Sequence, residues 1–137
     1  MSFHEMQIDD YNEIYELWYN TPGVGLSNAD KRENIERFLA RNKGLSFFCK
    51  HGGKIIGTIM CGHDGRRGHI YHLAVAENYR GKGIGRRLVE MSLERLKSEG
   101  IDKCHIFVYP ENDIGNGFWT SRGWIKREDV FVYSKSI

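Results

Sequence analysis

Thirteen residues in the middle of the chain, Val75-Ala76-Glu77-Asn78-Tyr79-Arg80-Gly81-Lys82-Gly83-Ile84-Gly85-Arg86-Arg87, combine glycines and cations in a way that suits anion binding. Four cations (Arg80, Lys82, Arg86, Arg87) and no carboxylate stand between Asn78 and Val89. The segment leads from a strand-like run into a helix-like one, so these charges crowd a helix N-terminus. There they oppose the helix dipole by about 0.3–1 kcal/mol each. A bound anion reverses the sign, because free backbone N–H groups, dipole and cations then act together. Gly81, Gly83 and Gly85 allow the ligand to approach the backbone. Phosphate binding is the expectation, with a solvated basic turn as the plain alternative.

Two nucleotide patterns fail here. A Walker A loop requires GxxxxGK[ST], which is absent. A dinucleotide fingerprint starting at Gly81 and Gly83 requires glycine or alanine where Arg86 stands.

The spacing Arg80-x-x-Gly83-x-Gly85 resembles the pyrophosphate loop of the GNAT N-acetyltransferase superfamily, and the resemblance extends over nearly the whole chain. Leu73-Ala74-Val75 is similar to that family's central strand. Asn112-x-x-Gly115-x-x-Phe118-Trp119-x-x-x-Gly123-Trp124 looks like its later Asn-x-x-Ala-x-x-Phe-Tyr-x-x-x-Gly-Phe segment. The resemblance implies an α/β (mixed α+β) fold: a strongly twisted, mostly antiparallel sheet, splayed between strands 4 and 5 and flanked by about four helices. It implies acetyl-CoA in the splay, bound by Leu73, Ala74, Val75, Arg80, Gly81, Lys82, Gly83, Ile84, Gly85, Arg86, Asn112, Gly115 and Trp119.

The implied reaction is direct acetyl transfer to a primary amine, whether of a small molecule, an aminoacyl compound or a protein N-terminus. A backbone N–H near Leu73 or Ala74 is the implied oxyanion donor. Family members often protonate the leaving thiolate with a tyrosine, but the corresponding residue is Trp119, and an indole N–H cannot deliver a proton. Water, the departing ammonium, or Tyr71, Tyr79 or Tyr109 could serve instead; Trp119 is expected to pack on the pantetheine or the core. Some members carry a Glu or His base where His69 stands, and a histidine near pKa ~6.5 can act at pH 7. A polar residue at a strand start is the alternative for His69.

Strand alternation puts His69, Tyr71, Leu73 and Val75 on one face, and Ile70, His72 and Ala74 on the other. His72 then reads as a structural histidine. His4, His51, His63 and His105 share no metal-ligand spacing, so no metal site is expected. Substrate selection is implied for Trp18 through Arg32, where Asp30 is either a helix cap or an ammonium contact. Two other function classes stay open: an acyl-CoA-binding module without turnover, and nucleic-acid binding through Arg80–Arg87, which would show steep salt dependence.

These residues need a scaffold, and the chain supplies strand and helix periods in turn. Helices are expected after Asp9 or Asp10, over Ala29–Asn42, Gly83–Glu99 and Asn112–Arg122. Strands are expected at Phe3–Ile8, Leu45–Cys49, Lys54–Cys61, His69–Ala76 and Lys103–Tyr109, with two further strand-like pieces in Trp124–Ile137. The chain has 137 residues, 40% hydrophobic and 28% charged, suiting one folded domain over 1–137. A net charge of +2 is too balanced for binding nucleic acid by bulk charge. The three cysteines (Cys49, Cys61, Cys104) form no CxxC pair and read as buried apolar residues of a reducing compartment. No signal peptide and no apolar run of membrane-spanning length is visible. A cytoplasmic monomer or homodimer, with neither membrane nor nucleic acid as partner, is the expectation.

Overall fold

The computed structural model describes residues 1–137 as two compact units, Met1–Phe107 and Val108–Ile137. In the first unit, strands β1 (Ser2–Glu5), β2 (Phe47–His51), β3 (Lys54–His63), β4 (Gly68–Val75) and β5 (Cys104–Ile106) form one sheet in that order. Helices α1 (Tyr11–Tyr19) and α2 (Arg32–Arg41) precede β2, and α3 (Ile84–Ser98) connects β4 to β5. The first four strands pair antiparallel and β4 pairs β5 in parallel. A parallel step needs a crossover, and α3 is that crossover.

The helices cover both faces of the sheet. On one face, Met6, Ile14, Trp18, Ile35, Phe48, Ile55, Met60 and Ala74 form a buried cluster under α1 and α2. On the other, α3 comes so close that a Cβ on Gly57 would sit 3.0 Å from Ile84 Cγ2. That contact explains the glycine in the middle of a strand. Covered on both sides, β3 is buried from Ile55 to Gly62, which is why its sequence is a continuous apolar run rather than an alternating one.

Two features of β4 shape the site. Its pairing with β5 covers only Gly68↔Cys104, His69↔His105 and Ile70↔Ile106, so Tyr71–Val75 has no partner on that side. Its pairing with β3 slips: Tyr71 faces Met60 and Ala74 faces Thr58, leaving His72 and Leu73 opposite the single residue Ile59. This is a β-bulge, and His72 is the one non-glycine residue with positive φ, at 47°. Simple alternation therefore fails across β4. Ala74 lies on the same face as Tyr71, and the His72 ring also lies on that face, against Trp18.

Other boundaries differ from expectation for local reasons. The helix expected from Ala29 is broken at Lys31 (ψ 152°), with a short 3-10 turn at Asn28–Asp30 before α2. Ser27 caps that turn, and the Asp30 carboxylate reaches back to the Ser27 N–H. Strand β5 has three residues rather than seven.

The second unit holds α4 (Asp113–Ser121). Its start is capped by Asn112, whose Oδ1 accepts from the Gly115 N–H at 2.9 Å. Its end turns through Gly123 (φ 82°), with the Trp124 N–H donating to the Trp119 carbonyl. The two strand-like pieces expected in Trp124–Ile137 do not form strands. Val130, Phe131, Val132 and Tyr133 are exposed, and a strand-like composition without a partner ladder does not hold a strand.

Candidate active site

The glycine-rich loop is built almost entirely from backbone. A turn at Glu77–Tyr79 ends β4, and the Arg80 Nε–H donates back to the Val75 carbonyl at 3.1 Å, folding the loop onto the strand end. Gly81 and Gly83 both take positive φ (76° and 82°), and Gly83 is the N-cap of α3. A Cβ on either would meet nothing within 4 Å, so these glycines are set by backbone conformation and border open space. The first turn of α3 has no acidic residue, and no side chain caps it. Its N–H groups are therefore free to meet an anion.

Ile84 differs from its neighbours in the loop: it is buried, and its side chain packs against β3 while its backbone opens the helix. Lys82 lies over the Tyr79 ring at 5.5 Å. Arg86 pairs with Glu90 at 3.4 Å, and Arg87 with Glu90 and Glu94 at 3.8 and 3.9 Å. These exposed pairs hold little energy, so the arginines can turn to a stronger anion.

The unpaired half of β4 lies directly before this loop. Ala74 is buried, while Leu73 and Val75 are half-buried. The bulge sets Leu73 apart from the regular ladder, the condition under which a strand N–H can serve a ligand. Toward the other end of the strand, the His69 ring lies 4.5 Å from both Tyr71 and Phe107. Burial, and secondarily His105, pushes the His69 imidazolium to lower pKa, so the ring is neutral at pH 7 and can accept a proton. Burial raises the Tyr71 hydroxyl above its ordinary value, making it a poorer acid than a free tyrosine. Of the other tyrosines, Tyr79 stacks edge-on with His51, and Tyr109 is exposed in the second unit.

In the second unit, Asn112, Gly115 and Trp119 form a local arrangement. A Cβ at Gly115 would crowd the Asn112 amide at 2.7 Å, so the small residue permits the cap. Trp119 is buried between Phe118 and Trp124, with ring centroids at 5.0 and 4.6 Å.

One cluster is more elaborate than the chain's residue spacing suggests. Asp30 and His72, 42 residues apart, meet at 2.6 Å between Oδ1 and Nε2, both largely buried. Trp18 Nε1–H donates to Thr58 Oγ1 at 2.9 Å, and Thr58 donates to the His72 carbonyl at 3.1 Å. The only hint in the sequence is that Thr58 and His72 are polar residues in otherwise apolar strands, while Asp30 stands among polar residues and gives none.

The geometry thus combines an uncapped helix start beside four exposed cations with a bulged strand and a half-buried histidine, a set that suits acyl transfer from a phosphate-bearing carrier. The profile of the acetyltransferase (GNAT) family matches residues 11–124. An acetyltransferase of Yersinia pestis (strain Pestoides F) is 29% identical over 137 residues, covering 100% of this chain and 96% of its own. The apo aminoglycoside 6'-N-acetyltransferase AAC(6')-IG of Acinetobacter haemolyticus superposes with a TM-score of 0.81 at 17% identity, over 100% of this chain and 99% of that one. The PaiA N-acetyltransferase of Thermoplasma acidophilum, in complex with coenzyme A, superposes with a TM-score of 0.74 at 20% identity, over 89% of each chain. The chain belongs to the GNAT acetyltransferase family and is an acetyl-CoA-dependent N-acetyltransferase.

Proposed function

We propose that the enzyme acetylates the primary amine of a small molecule, an aminoacyl compound or a protein N-terminus, with His69 as proton acceptor and the backbone at Leu73 as oxyanion donor. The observation that carries this reading is the bulge in the half of β4 that β5 leaves unpaired, on the same strand as a histidine held neutral by burial.

Acetyl-CoA supplies an activated thioester: a C–N bond to the amine forms and the C–S bond breaks. The chain's own residues fit the anionic end of that molecule. The open Gly81–Gly83 backbone and the uncapped start of α3 offer N–H groups, while Arg80, Lys82 and Arg86 supply charge. Ile84 and Gly85 continue that backbone into the helix, with Leu73, Ala74 and Val75 alongside the pantetheine. Within the second unit, Asn112 and Gly115 form a preformed helix start, with Trp119 in the last turn of the same helix.

His69, neutral at pH 7, takes the ammonium proton through water. The Leu73 N–H stabilises the negative charge on the carbonyl oxygen as the amine adds. The thiolate then needs no tyrosine: it takes up the proton held by His69 by way of solvent, and the second proton that the nitrogen loses as the amide forms passes to solvent. Trp119 packs and does not titrate. We place the enzyme in the cytoplasm as a single domain, monomeric or homodimeric, without nucleic-acid or membrane partners. No helix is long and apolar enough to cross a membrane.

The test is thiol release from acetyl-CoA over a panel of diamines, aminoglycosides, aminoacyl compounds and N-terminal peptides. Release with at least one primary amine, falling on the acid side as His69 protonates, is the expected result. A His69→Ala enzyme with wild-type rate and an unchanged pH profile would remove His69 from the mechanism.

A further inference from the structure

We infer that Asp30 is a positioning residue for acetyl transfer: by holding the His72 ring, it keeps the β4 bulge in the shape that presents the Leu73 N–H to the carbonyl oxygen. This rests on the acyl-transfer reading of β4.

The backbone is unusual at the bulge. His72 has φ 47°, a left-handed conformation that a residue with a Cβ adopts only when its surroundings over-determine it. The surroundings here do so from three directions. Its carbonyl accepts from Thr58 Oγ1 at 3.1 Å, and that hydroxyl is itself held by the Trp18 indole at 2.9 Å. Its ring meets the edge of Trp18 at 4.7 Å between centroids. The third hold is the 2.6 Å hydrogen bond from Nε2 to the Asp30 carboxylate.

Asp30 is itself firmly placed. A carboxylate that is 5% exposed must have its oxygens satisfied. Oδ1 takes the His72 ring and Oδ2 takes the Ser27 N–H at 2.9 Å. The Asp30 carbonyl accepts from the Tyr11 hydroxyl at 2.6 Å. The turn that carries Asp30 is thereby fixed to α1 on one side and to the bulge on the other. The residue after His72 is Leu73, so a change in the His72 φ or ψ swings the Leu73 N–H directly. A displacement of a donor by a fraction of an ångström is enough to reduce catalysis without disturbing the cofactor loop further along the chain.

A simple staple would also explain a buried Asp–His pair, and steady-state kinetics separate the two roles. Asp30→Ala is expected to lower kcat about 10- to 100-fold, a loss comparable to weakening one oxyanion donor, with KM for acetyl-CoA changed by less than about 2-fold. Asp30→Asn keeps an oxygen to accept the Nε2–H and is expected to recover kcat to within about 5-fold of wild type. Wild-type kcat in folded Asp30→Ala overturns the proposal. So does a loss of kcat that Asn fails to rescue. If Asp30→Ala does not fold, His72→Gly replaces it, because glycine takes φ 47° without strain while deleting the ring. It is expected to lose kcat to the same degree, and a wild-type kcat there overturns the proposal as well.

The underlying reading is checked separately in the wild-type enzyme. The Leu73 amide resonance should shift more with acetyl-CoA than with coenzyme A, since only the former carries the carbonyl. Equal shifts defeat the acyl-transfer reading of the bulge, and the clamp with it. A differential shift together with an unimpaired Asp30→Ala enzyme defeats the clamp alone.

Discussion

At the start of α3 the candidate site is made of backbone and exposed charge. Gly81 and Gly83 set the path, the cations lie in solvent, and no distant residue is needed to hold the shape. At the β4 bulge the opposite holds. One strained residue, His72, is held by Thr58 from the adjoining strand, by Trp18 from α1 and by Asp30 from the turn before α2. A helix terminus recognises an anion by its dipole and free N–H groups, which any short stretch of chain can provide. Aiming one donor at a developing charge needs rigidity, which only long-range contacts supply. Substitutions at the bulge should therefore move kcat and stability, whereas substitutions in the loop should move acetyl-CoA binding alone.

The largest effect tests the strand. His69→Ala should reduce kcat/KM about 100-fold at pH 7, in the range of a lost general base. In the wild-type enzyme the acid limb of kcat/KM should lie below about pH 6.5, because burial depresses the imidazolium pKa. The same shift has a stability consequence. The unfolded chain takes up this proton more readily than the folded one, so stability is full above about pH 6.5 and declines as pH falls toward the lower folded value. Urea unfolding from pH 7.5 to 5.5 measures it.

Next in size is the loop. The double substitution Lys82→Ala with Arg86→Ala should raise the Kd for acetyl-CoA about 10-fold by loss of charge-assisted contacts. The melting temperature of the free enzyme should not fall, since neither side chain is buried and both oppose the dipole of α3. A marked fall in melting temperature would break the contrast between the two regions.

A smaller effect probes the bulge from behind. Trp18→Phe removes the indole N–H that holds Thr58, and should cost about 1 kcal/mol in urea unfolding together with a several-fold lower kcat. An unaltered kcat would mean that the bulge is held without this bond. Smallest of all, Glu90→Gln frees Arg86 and leaves Arg87 only its Glu94 partner, and should tighten acetyl-CoA binding by less than about 2-fold.

The same contrast explains which parts of the molecule were legible in the sequence. The loop could be read because its signal is local: glycines and cations at the end of one strand and the start of one helix. The five strands and four helices also announced themselves through their apolar periods. The bulge could not be read, since nothing in Tyr71-His72-Leu73-Ala74 reports that two residues will face one on β3. That single extra residue is why alternation misassigned the faces of Ala74 and His72. Asp30 was legible as part of a helix start but not as the partner of a histidine 42 residues away. The run Val130–Tyr133 misled in the other direction: its composition suits a strand, but pairing is decided by what stands beside it.

The three-pair junction between β4 and β5 also makes the molecule thermodynamically graded. Each of the first four strands is tied to its neighbour over four or more register pairs, while β5 depends on three. In native-state hydrogen exchange, opening free energies follow such differences in local pairing and burial. Amides of β3, buried on both faces, should be the last to exchange, and those of β5 should open well below the global limit. On gradual denaturation the fifth strand comes away while the first four still stand, and β4 is the hinge line between the part that persists and the part that breathes.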